Sequence, residues 1–243
     1  MEIIPAIDIR DGRCVRLEQG DYARETVFAD DPVAVARRWL GAGARRLHVV
    51  DLDGARDGQP GNEATIRAIL DASTVPVQVG GGIRDIATVQ RFLDAGVDRV
   101  ILGTTAVKHQ TTLINAIVLF RERIVAGVDV RGGVVATEGW TEASTVAISD
   151  LVRQLSEMGV GRIVYTEILR DATLTGPNLD AIAKLMEIIS GLPSPMRVIV
   201  AGGLASIGDI QRLSALGVEG AIVGKAIYTG DIDLGEAIAI VSS

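Results

Sequence analysis

Cysteine and long apolar runs are both scarce in this sequence of 243 residues. Cys14 is the only cysteine, so no disulfide can form within the chain, and no spacing of Cys and His supports a structural zinc site. Charged residues interrupt every apolar run well before the roughly 20 residues that a membrane span needs. The first residues have a strand-like pattern and lack the features of a signal peptide. We therefore expect no metal, no membrane association and a cytoplasmic protein.

Basic residues are outnumbered by acidic ones, and the formal net charge is −7. A chain with this charge has little general attraction for phosphodiester backbones, so we expect no nucleic-acid partner. Any recognition of phosphate must come from local geometry instead of a basic surface. We also expect a monomer.

Short β-branched runs alternate with segments of helical period along the whole sequence, with amphipathic helices predicted at 32–40, 85–95 and 207–216. This alternation predicts an α/β fold with a parallel sheet, and eight βα units in about 250 residues are typical of one (β/α)8 barrel of the TIM type. We expect residues 1–243 to form a single domain. The predicted strands are 3–8, 47–52, 75–80, 99–102, 124–130, 162–167, 197–201 and 220–223.

The sequence also contains an internal repeat. A shift of 121 residues carries Gly81 onto Gly202 and Gly103 onto Gly224, and the same shift carries Asp8 onto Asp129. Generic valine and glycine patterns of βα units could produce one such match, but three matched segments in one register favour a true repeat. We therefore predict a barrel built from two similar half-barrels.

Asp8 and Asp129 end the first and fifth predicted strands. In such barrels the functional groups lie at the carboxyl ends of the strands, and these two strands face each other across the barrel. The two carboxyl groups can then serve one substrate as acid and base from opposite sides. The alternative is that each carboxylate caps a loop or pairs with a neighbouring arginine, Arg10 or Arg131.

Glycines follow four of the predicted strands, in two related pairs of loops. Small residues let backbone N–H groups approach phosphate oxygens closely, and a Thr hydroxyl or a Lys can add hydrogen bonds. Two such cradles flanking two carboxylates predict a small-molecule bisphosphate substrate. Tight βα turns also use glycine for structural reasons alone. The cradle residues are Gly81, Gly82, Gly103 and Thr104 in the first half, and Gly202, Gly203, Gly224 and Lys225 in the second.

Three further residues are weaker candidates. His48 lies in the second predicted strand and faces either the substrate or the core. Trp140 lies in the loop after the fifth strand, where it either stacks on a flat heterocycle or packs against the loop. Asp171, after the sixth strand, lies within reach of the barrel mouth. The loops at 10–27 and 131–144 are long, polar and glycine-bearing, so we expect them to be mobile lids, with Trp140 closing over the ligand.

The chain resembles the aldose–ketose isomerase family of histidine biosynthesis, which acts on the aminoimidazole-carboxamide ribonucleotide called ProFAR. The matching segments span nearly the whole chain: PAID at 5–8, HVVDL at 48–52, GGGIR at 80–84, DVRGG at 129–133, GW at 139–140, YTEI at 165–168, TGPN at 175–178 and VGKA at 223–226.

The resemblance implies an Amadori rearrangement, in which Asp8 accepts a proton, Asp129 donates one and Asp171 is a further catalytic carboxylate. No metal or organic cofactor is implied. Substrate-binding roles are implied for His48, Gly81, Gly82, Arg84, Gly103, Thr104, Trp140, Thr166, Gly176, Gly202, Gly203, Gly224 and Lys225.

The sequence departs from this family at Ala172, where a glycine is usual. If that position needs a positive φ, alanine strains it by roughly 1 kcal/mol or forces another loop path. Three alternative functions stay open. They are a bifunctional isomerase that also acts on phosphoribosyl anthranilate, the related cyclase subunit that accepts ammonia, and a barrel that binds without catalysis. The GGG segment at 80–82 and the short 131–140 loop favour the monofunctional isomerase.

Overall fold

The structure, a computed structural model, describes residues 1–137, 140 and 142–242, and for residues 142–145 it describes the backbone only. In chain order the strands are β1 (Glu2–Arg10), β2 (Arg13–Glu18), β3 (Asp21–Ala29), β4 (Leu47–Asp51), β5 (Val77–Gly80), β6 (Arg99–Leu102), β7 (Ile124–Arg131), β8 (Val134–Thr137), β9 (Glu142–Ala147), β10 (Arg162–Glu167), β11 (Arg197–Ala201) and β12 (Gly220–Val223).

Eight of these strands form a closed parallel barrel in the order β1, β4, β5, β6, β7, β10, β11 and β12, and β12 pairs with β1 to close it. The predicted (β/α)8 fold is therefore confirmed. Each predicted strand overlaps one of these eight strands, and the predicted ends differ from the observed ends by a few residues at most. No helix in the described part of the chain is long and apolar enough to cross a membrane.

Helices connect the barrel strands, and several of them begin with a side-chain N-cap. The Asp31 side chain accepts hydrogen bonds from Val33 N and Ala34 N, and Ser206 forms a capping box with Asp209. The helices are α1 (Pro32–Gly41), α2 (Leu52–Asp57), α3 (Glu63–Ala72), α4 (Ile86–Asp94), α5 (Thr104–Lys108), α6 (Gln110–Phe120), α7 (Ile148–Glu157), α8 (Leu179–Ser190), α9 (Ile207–Ala215), α10 (Lys225–Thr229) and α11 (Leu234–Ser242), with 3-10 turns at Arg121–Arg123 and Ile168–Arg170.

The two halves of the barrel share their strand registers. Gly80 pairs with Ile101 in the first half, and Ala201 pairs with Ile222 in the second, a shift of 121 on both strands. Where β1 meets β4, Ala6 pairs with His48, and at the equivalent place Gly127 pairs with Val164. Equivalent positions in the two halves can therefore be compared directly.

Apolar side chains fill the barrel interior, so the barrel has a packed core and no central pore among the described residues. A larger core lies between the strands and the surrounding helices. Because the interior is filled, a ligand can reach the strand ends only from the barrel mouth. The interior side chains are Ile4, Ala6, Ile101, Val125, Val164, Ile199 and Ile222.

The segments that follow β1 and β7 differ from the expected polar lids. Each begins as a β-hairpin: β2 pairs with β1 and with β3, and β8 pairs with β7 and with β9. Cys14, Val15 and Val135 are buried, so both hairpins contribute side chains to the core. The expectation that these segments are entirely polar lids was therefore wrong for the hairpin residues. The sequence contained a signal for both hairpins. Asp11-Gly12 and Gly132-Gly133 are pairs that readily adopt the two positive φ angles of a tight two-residue turn.

Candidate active site

A cleft opens at the carboxyl ends of the barrel strands, where the βα loops meet. Every site residue predicted from the sequence lines it except Gly176. The lining residues from that set are Asp8, His48, Gly81, Gly82, Arg84, Gly103, Thr104, Asp129, Trp140, Thr166, Asp171, Gly202, Gly203, Gly224 and Lys225.

Gly176 lies behind the cleft. Its N–H donates to the backbone oxygen of Gly203 at 3.0 Å. A Cβ added at Gly203 would lie 2.6 Å from the backbone oxygen of Gly176. Gly176 therefore supports the wall of the cleft without forming its surface.

Asp8 lies near the end of β1 with only 9% of its surface exposed. Its carboxylate accepts a hydrogen bond of 2.6 Å from Nη1 of Arg16, which lies on β2. Burial raises the pKa of the Asp8 carboxyl above its usual value, and the charge and hydrogen bond of Arg16 oppose this rise. Arg16 therefore favours the ionised form of Asp8.

Asp129 occupies the equivalent position on β7 and is half-buried. Burial raises its pKa as well, opposed by hydrogen bonds from the side chains of Thr166 and Trp140. Among the described residues, no cationic side chain forms an ion pair with Asp129. In the described part of the chain, Asp129 therefore lacks the neighbouring positive charge that stabilises the ionised form of Asp8.

Asp171 follows the 3-10 turn Ile168–Arg170 at the end of β10. Burial is the main cause that raises the pKa of its carboxyl to about 6, and the charges of Asp8 and Asp129 add to the rise while Arg16 opposes it. The next residue, Ala172, has a φ of 55°. The position at which the sequence departs from the family that it resembles therefore does adopt the left-handed conformation that glycine accepts most easily.

His48 is buried, lines the cleft and contacts one other side chain through Nδ1, which lies 3.0 Å from Nε2 of Gln78. Burial, with a smaller effect of Arg16, lowers the pKa of the imidazole to about 3. His48 is therefore a neutral, hydrogen-bonded side chain with one face toward the ligand space.

The Gly81-Gly82 and Gly202-Gly203 pairs both lie very close to the backbone of a neighbouring segment. A Cβ at Gly81 would overlap the backbone oxygen of Asp51, and one at Gly202 would lie 2.9 Å from that of Glu167. All four glycines have positive φ angles. Any side chain at these positions would be strained and would push the loops apart.

Lys225 and Trp140 each contact a neighbouring loop at the mouth of the barrel. The Lys225 Nζ donates to the backbone oxygen of Ala172 at 3.0 Å. The Trp140 indole lies so close to Gly20 that a Cβ there would overlap it. The preceding residue, Gly139, lies outside the described residues, and the closing motion of Trp140 stays a prediction.

Sequence reasoning missed Arg16, because the segment that contains it was expected to be a loop. Its Nε and Nη2 are buried and have no hydrogen-bond partner among the described residues. A Cβ at Gly224 would overlap Nη2. Arg16 therefore joins Asp8 to the second glycine cradle. The Asp-Gly turn was the available signal, since a tight hairpin brings β2 back beside Asp8.

Sequence reasoning also missed a buried network that holds the turn between β1 and β2. The Asp53 carboxylate accepts from the N–H of Asp11 at 2.7 Å, and the Asn62 amide oxygen accepts from the N–H of Gly12 at 3.1 Å. The Asn62 amide nitrogen in turn donates to both Asp51 and Asp53. We call Asp51, Asp53 and Asn62 the turn clamp.

Within the described part of the chain, no group of three or more His, Cys, Asp or Glu side chains is arranged to hold a metal ion.

The sequence comparisons identify the family. The family model described as "Histidine biosynthesis protein" matches residues 2–233. The chain belongs to this family. The resemblance deduced from the motifs is confirmed.

Members of the histidine biosynthesis family are similar to this chain over its whole length. A protein of Chloroflexus aggregans is 52% identical over 240 residues, covering 99% of this chain and 98% of its own. One of Roseiflexus castenholzii is 49% identical, covering 98% and 99%, and one of Synechocystis is 50% identical, covering 100% and 94%. All three are named as 1-(5-phosphoribosyl)-5-((5-phosphoribosylamino)methylideneamino) imidazole-4-carboxamide isomerase.

Proposed function

We propose that this protein is an aldose–ketose isomerase of histidine biosynthesis that converts the aminoaldose ProFAR into its aminoketose. One observation carries the proposal: Asp8 and Asp129 face one cleft from opposite half-barrels, and only Asp8 has a cation beside it. Such a pair offers a base and an acid to one substrate. The names of the relatives agree, since each contains the word isomerase and two 5-phosphoribosyl groups.

The rearrangement needs two proton transfers that these carboxyl groups can perform. Asp129 in its neutral form donates a proton to the ring oxygen of the aminosugar as the bond from that oxygen to C1 breaks, which gives an open-chain Schiff base. Asp8 in its ionised form accepts the proton of C2, and the released electron pair forms the C1–C2 double bond of an enolamine. Protonation at C1 and loss of the proton on the C2 hydroxyl then give the aminoketose.

The glycine cradles are suited to the two phosphate groups of the substrate. In the first half, Gly81, Gly82, Gly103 and Thr104 line the cleft together with Arg84. In the second half, Gly202, Gly203 and Gly224 are joined by Lys225 and by the guanidinium of Arg16. The two positive groups of the second cradle would stabilise a dianionic phosphate beside Asp8.

Asp171 is proposed as a third carboxylate of the site. Its raised pKa allows it to exchange a proton near neutral pH, and its charge interacts with those of Asp8 and Arg16. His48 and Thr166 would bind the sugar, and Trp140 would stack on the aminoimidazole.

Assay of one purified sample with three substrates tests this function. ProFAR, phosphoribosyl anthranilate, and the aminoketose together with ammonia report the isomerase, the bifunctional isomerase and the cyclase respectively. We expect turnover of ProFAR only. Turnover of none of the three, by a folded protein that still binds ProFAR, would support a barrel that binds without catalysis.

Phosphate or sulfate at millimolar concentration tests the cradles. We expect anions at both glycine pairs in crystals soaked with either ion, and competitive inhibition of the isomerase by both. An absence of anion density at both pairs, with inhibition absent too, would contradict the two-phosphate arrangement. The same preparation tests the expected single-domain monomer, through one unfolding transition and the mass of one chain in solution.

A further inference from the structure

His48 is a buried neutral imidazole whose tautomer decides what it can do in the cleft. A neutral imidazole carries one proton, so one ring nitrogen donates a hydrogen bond and the other accepts one. Nδ1 faces Nε2 of Gln78 at 3.0 Å. The remaining ring nitrogen, Nε2, is therefore the one available to a ligand in the cleft that His48 lines.

Gln78 lies on β5, between two strands that present polar side chains at the same level of the barrel. In the strand register it is paired with His48 on β4 and with Arg99 on β6. The Gln78 side chain is fully buried. Its Oε1 and the Nη1 of Arg99 are buried polar atoms without a hydrogen-bond partner among the described residues.

The orientation of the Gln78 amide is inferred from its contact with His48 and from the charge of Arg99 on the adjacent strand. The Arg99 guanidinium on β6 offers only hydrogen-bond donors. It therefore favours the orientation in which the amide oxygen of Gln78 lies on the β6 side. The amide nitrogen is then directed to β4, where it donates to an imidazole nitrogen. The reverse orientation would direct the amide donors at the positive charge of Arg99 and would leave the amide oxygen to accept from His48.

We infer that Gln78 is a positioning residue that fixes the proton of His48 on Nε2, so that His48 donates a hydrogen bond into the cleft. Under the proposed function, on which this last step rests, the acceptor is a sugar oxygen that gains negative charge during the rearrangement. His48 then takes no part in the proton transfers. Its lowered pKa agrees with a side chain that stays neutral throughout the working pH range.

The tautomer can be measured without any substrate, because the chain has only two histidines, His48 and the exposed His109. Long-range ¹H–¹⁵N correlation spectra of the ¹⁵N-labelled protein distinguish a protonated ring nitrogen from a free one. The variant His109→Gln assigns the signals. We expect His48 to be protonated at Nε2 only, with no change between pH 5 and pH 8. A proton on Nδ1 of His48, or a positive imidazolium at pH 6, would overturn the inference.

Two substitutions test the role of Gln78. In Gln78→Glu, the carboxylate accepts from Nδ1, so the proton should move to Nδ1 and Nε2 should become an acceptor. The sugar oxygen that gains negative charge would then lose one hydrogen-bond donor. This loss should lower kcat by about a hundred-fold, with KM changed only a few-fold. In Gln78→Met, which removes the polar contact at similar volume, we expect a mixture of both tautomers.

The outcomes separate this inference from the proposed function. If none of the three substrates is turned over and the spectra are as expected, the tautomer assignment stands and the catalytic step fails. If ProFAR is turned over and Gln78→Glu folds but leaves the His48 tautomer unchanged, Gln78 does not set it and the inference fails. Should Gln78→Glu not fold, the wild-type and Gln78→Met spectra still decide.

Discussion

The first and second half-barrels have the same strand registers but different chemistry at equivalent positions. On β2, Arg16 follows the residue paired with Asp8, whereas Thr137 follows the residue paired with Asp129 on β8. One carboxylate therefore has a cation beside it and the other has hydroxyl and indole donors. Two halves with matching strand registers supply two similar carboxyl groups, and a single neighbouring side chain makes their surroundings unequal.

The two hairpins also differ in how firmly they are held. The turn of the first hairpin, Asp11 and Gly12, donates two N–H groups to the turn clamp. At the equivalent turn, Gly132 and Gly133 are exposed, and a Cβ added to either would meet no atom within 4 Å. The clamped hairpin carries Arg16, which donates to Asp8, and the exposed turn lies in the segment that leads to Trp140.

The largest expected effect comes from removing either carboxylate. We expect Asp8→Asn and Asp129→Asn each to lower kcat by about 10²–10⁴-fold, because positioned acid and base groups contribute that much to rate. Both variants should remain folded, with Asp8→Asn the less stable of the two, because it leaves the buried Arg16 guanidinium without its ion pair. Steady-state assays and thermal unfolding check this, and near-native turnover by either variant would remove that residue from the mechanism.

The next test removes the electrostatic difference between the halves. Arg16→Met should lower kcat/KM by about a hundred-fold, because Asp8 loses the cation that favours its ionised form and the second cradle loses a charge. The matched change in the other half, Thr137→Val, should alter kcat/KM less than about tenfold. Equal losses in the two variants would contradict the assigned difference between Asp8 and Asp129.

The pH dependence of kcat tests the same assignment. Asp8 must be ionised, so kcat should fall as pH drops through its raised pKa. Asp129 must be protonated, so kcat should fall as pH rises through its own raised pKa. Both limbs should therefore appear in a profile measured from pH 4 to pH 10. A profile with no alkaline limb would contradict Asp129 as the proton donor.

Asp171 should make stability depend on pH with a defined sign. Its pKa of about 6 in the folded protein exceeds the unfolded value, so the folded state binds its proton more tightly. That contribution to the free energy of unfolding is present at low pH and is lost as pH rises from about 4 to about 6. Urea unfolding of the wild type and of Asp171→Asn across this range should show a larger loss in the wild type, since the raised pKa values of Asp8 and Asp129 act in both proteins.

A smaller effect is expected from the turn clamp. Asn62→Ala removes three hydrogen bonds around buried carboxylates and should lower the free energy of unfolding by about 1–3 kcal/mol. In the wild type, hydrogen exchange at Asp11 and Gly12 should be slower than at Gly132 and Gly133. The substitution should abolish that difference, and unchanged protection of Asp11 and Gly12 would show that the clamp does not hold the turn.

The smallest expected effect is at Ala172. Ala172→Gly relieves a left-handed alanine but also gains freedom in the unfolded chain, and each of these effects is worth about 1 kcal/mol. The free energy of unfolding should therefore change by less than about 1 kcal/mol. Chemical denaturation measures this, with Gly176→Ala as the opposite control, since Gly176 also has a positive φ. A loss of about 1 kcal/mol or more in Ala172→Gly would mean that the alanine is not strained, because only the cost in the unfolded chain would then remain.

Much of this protein was determined by patterns that are local in the sequence. The alternation of strand and helix periods and the 121-residue shift predict the barrel, because each βα unit has its own hydrophobic period. Asp8, Asp129 and the glycines could be predicted as site residues, since the carboxyl ends of parallel strands must meet at one end of a barrel.

The tertiary structure alone decided which groups act on one another. Arg16 is eight residues from Asp8, but only the hairpin turn brings its guanidinium to the carboxylate. The turn clamp joins Asn62 to Gly12 across fifty residues, and Gln78 reaches His48 across thirty. Burial, charge and hydrogen bonds change a pKa or a tautomer over a few ångströms of space. Distance along the chain does not report those separations, so the sequence determined which residues are candidates for the site, and the fold determined which groups surround each of them.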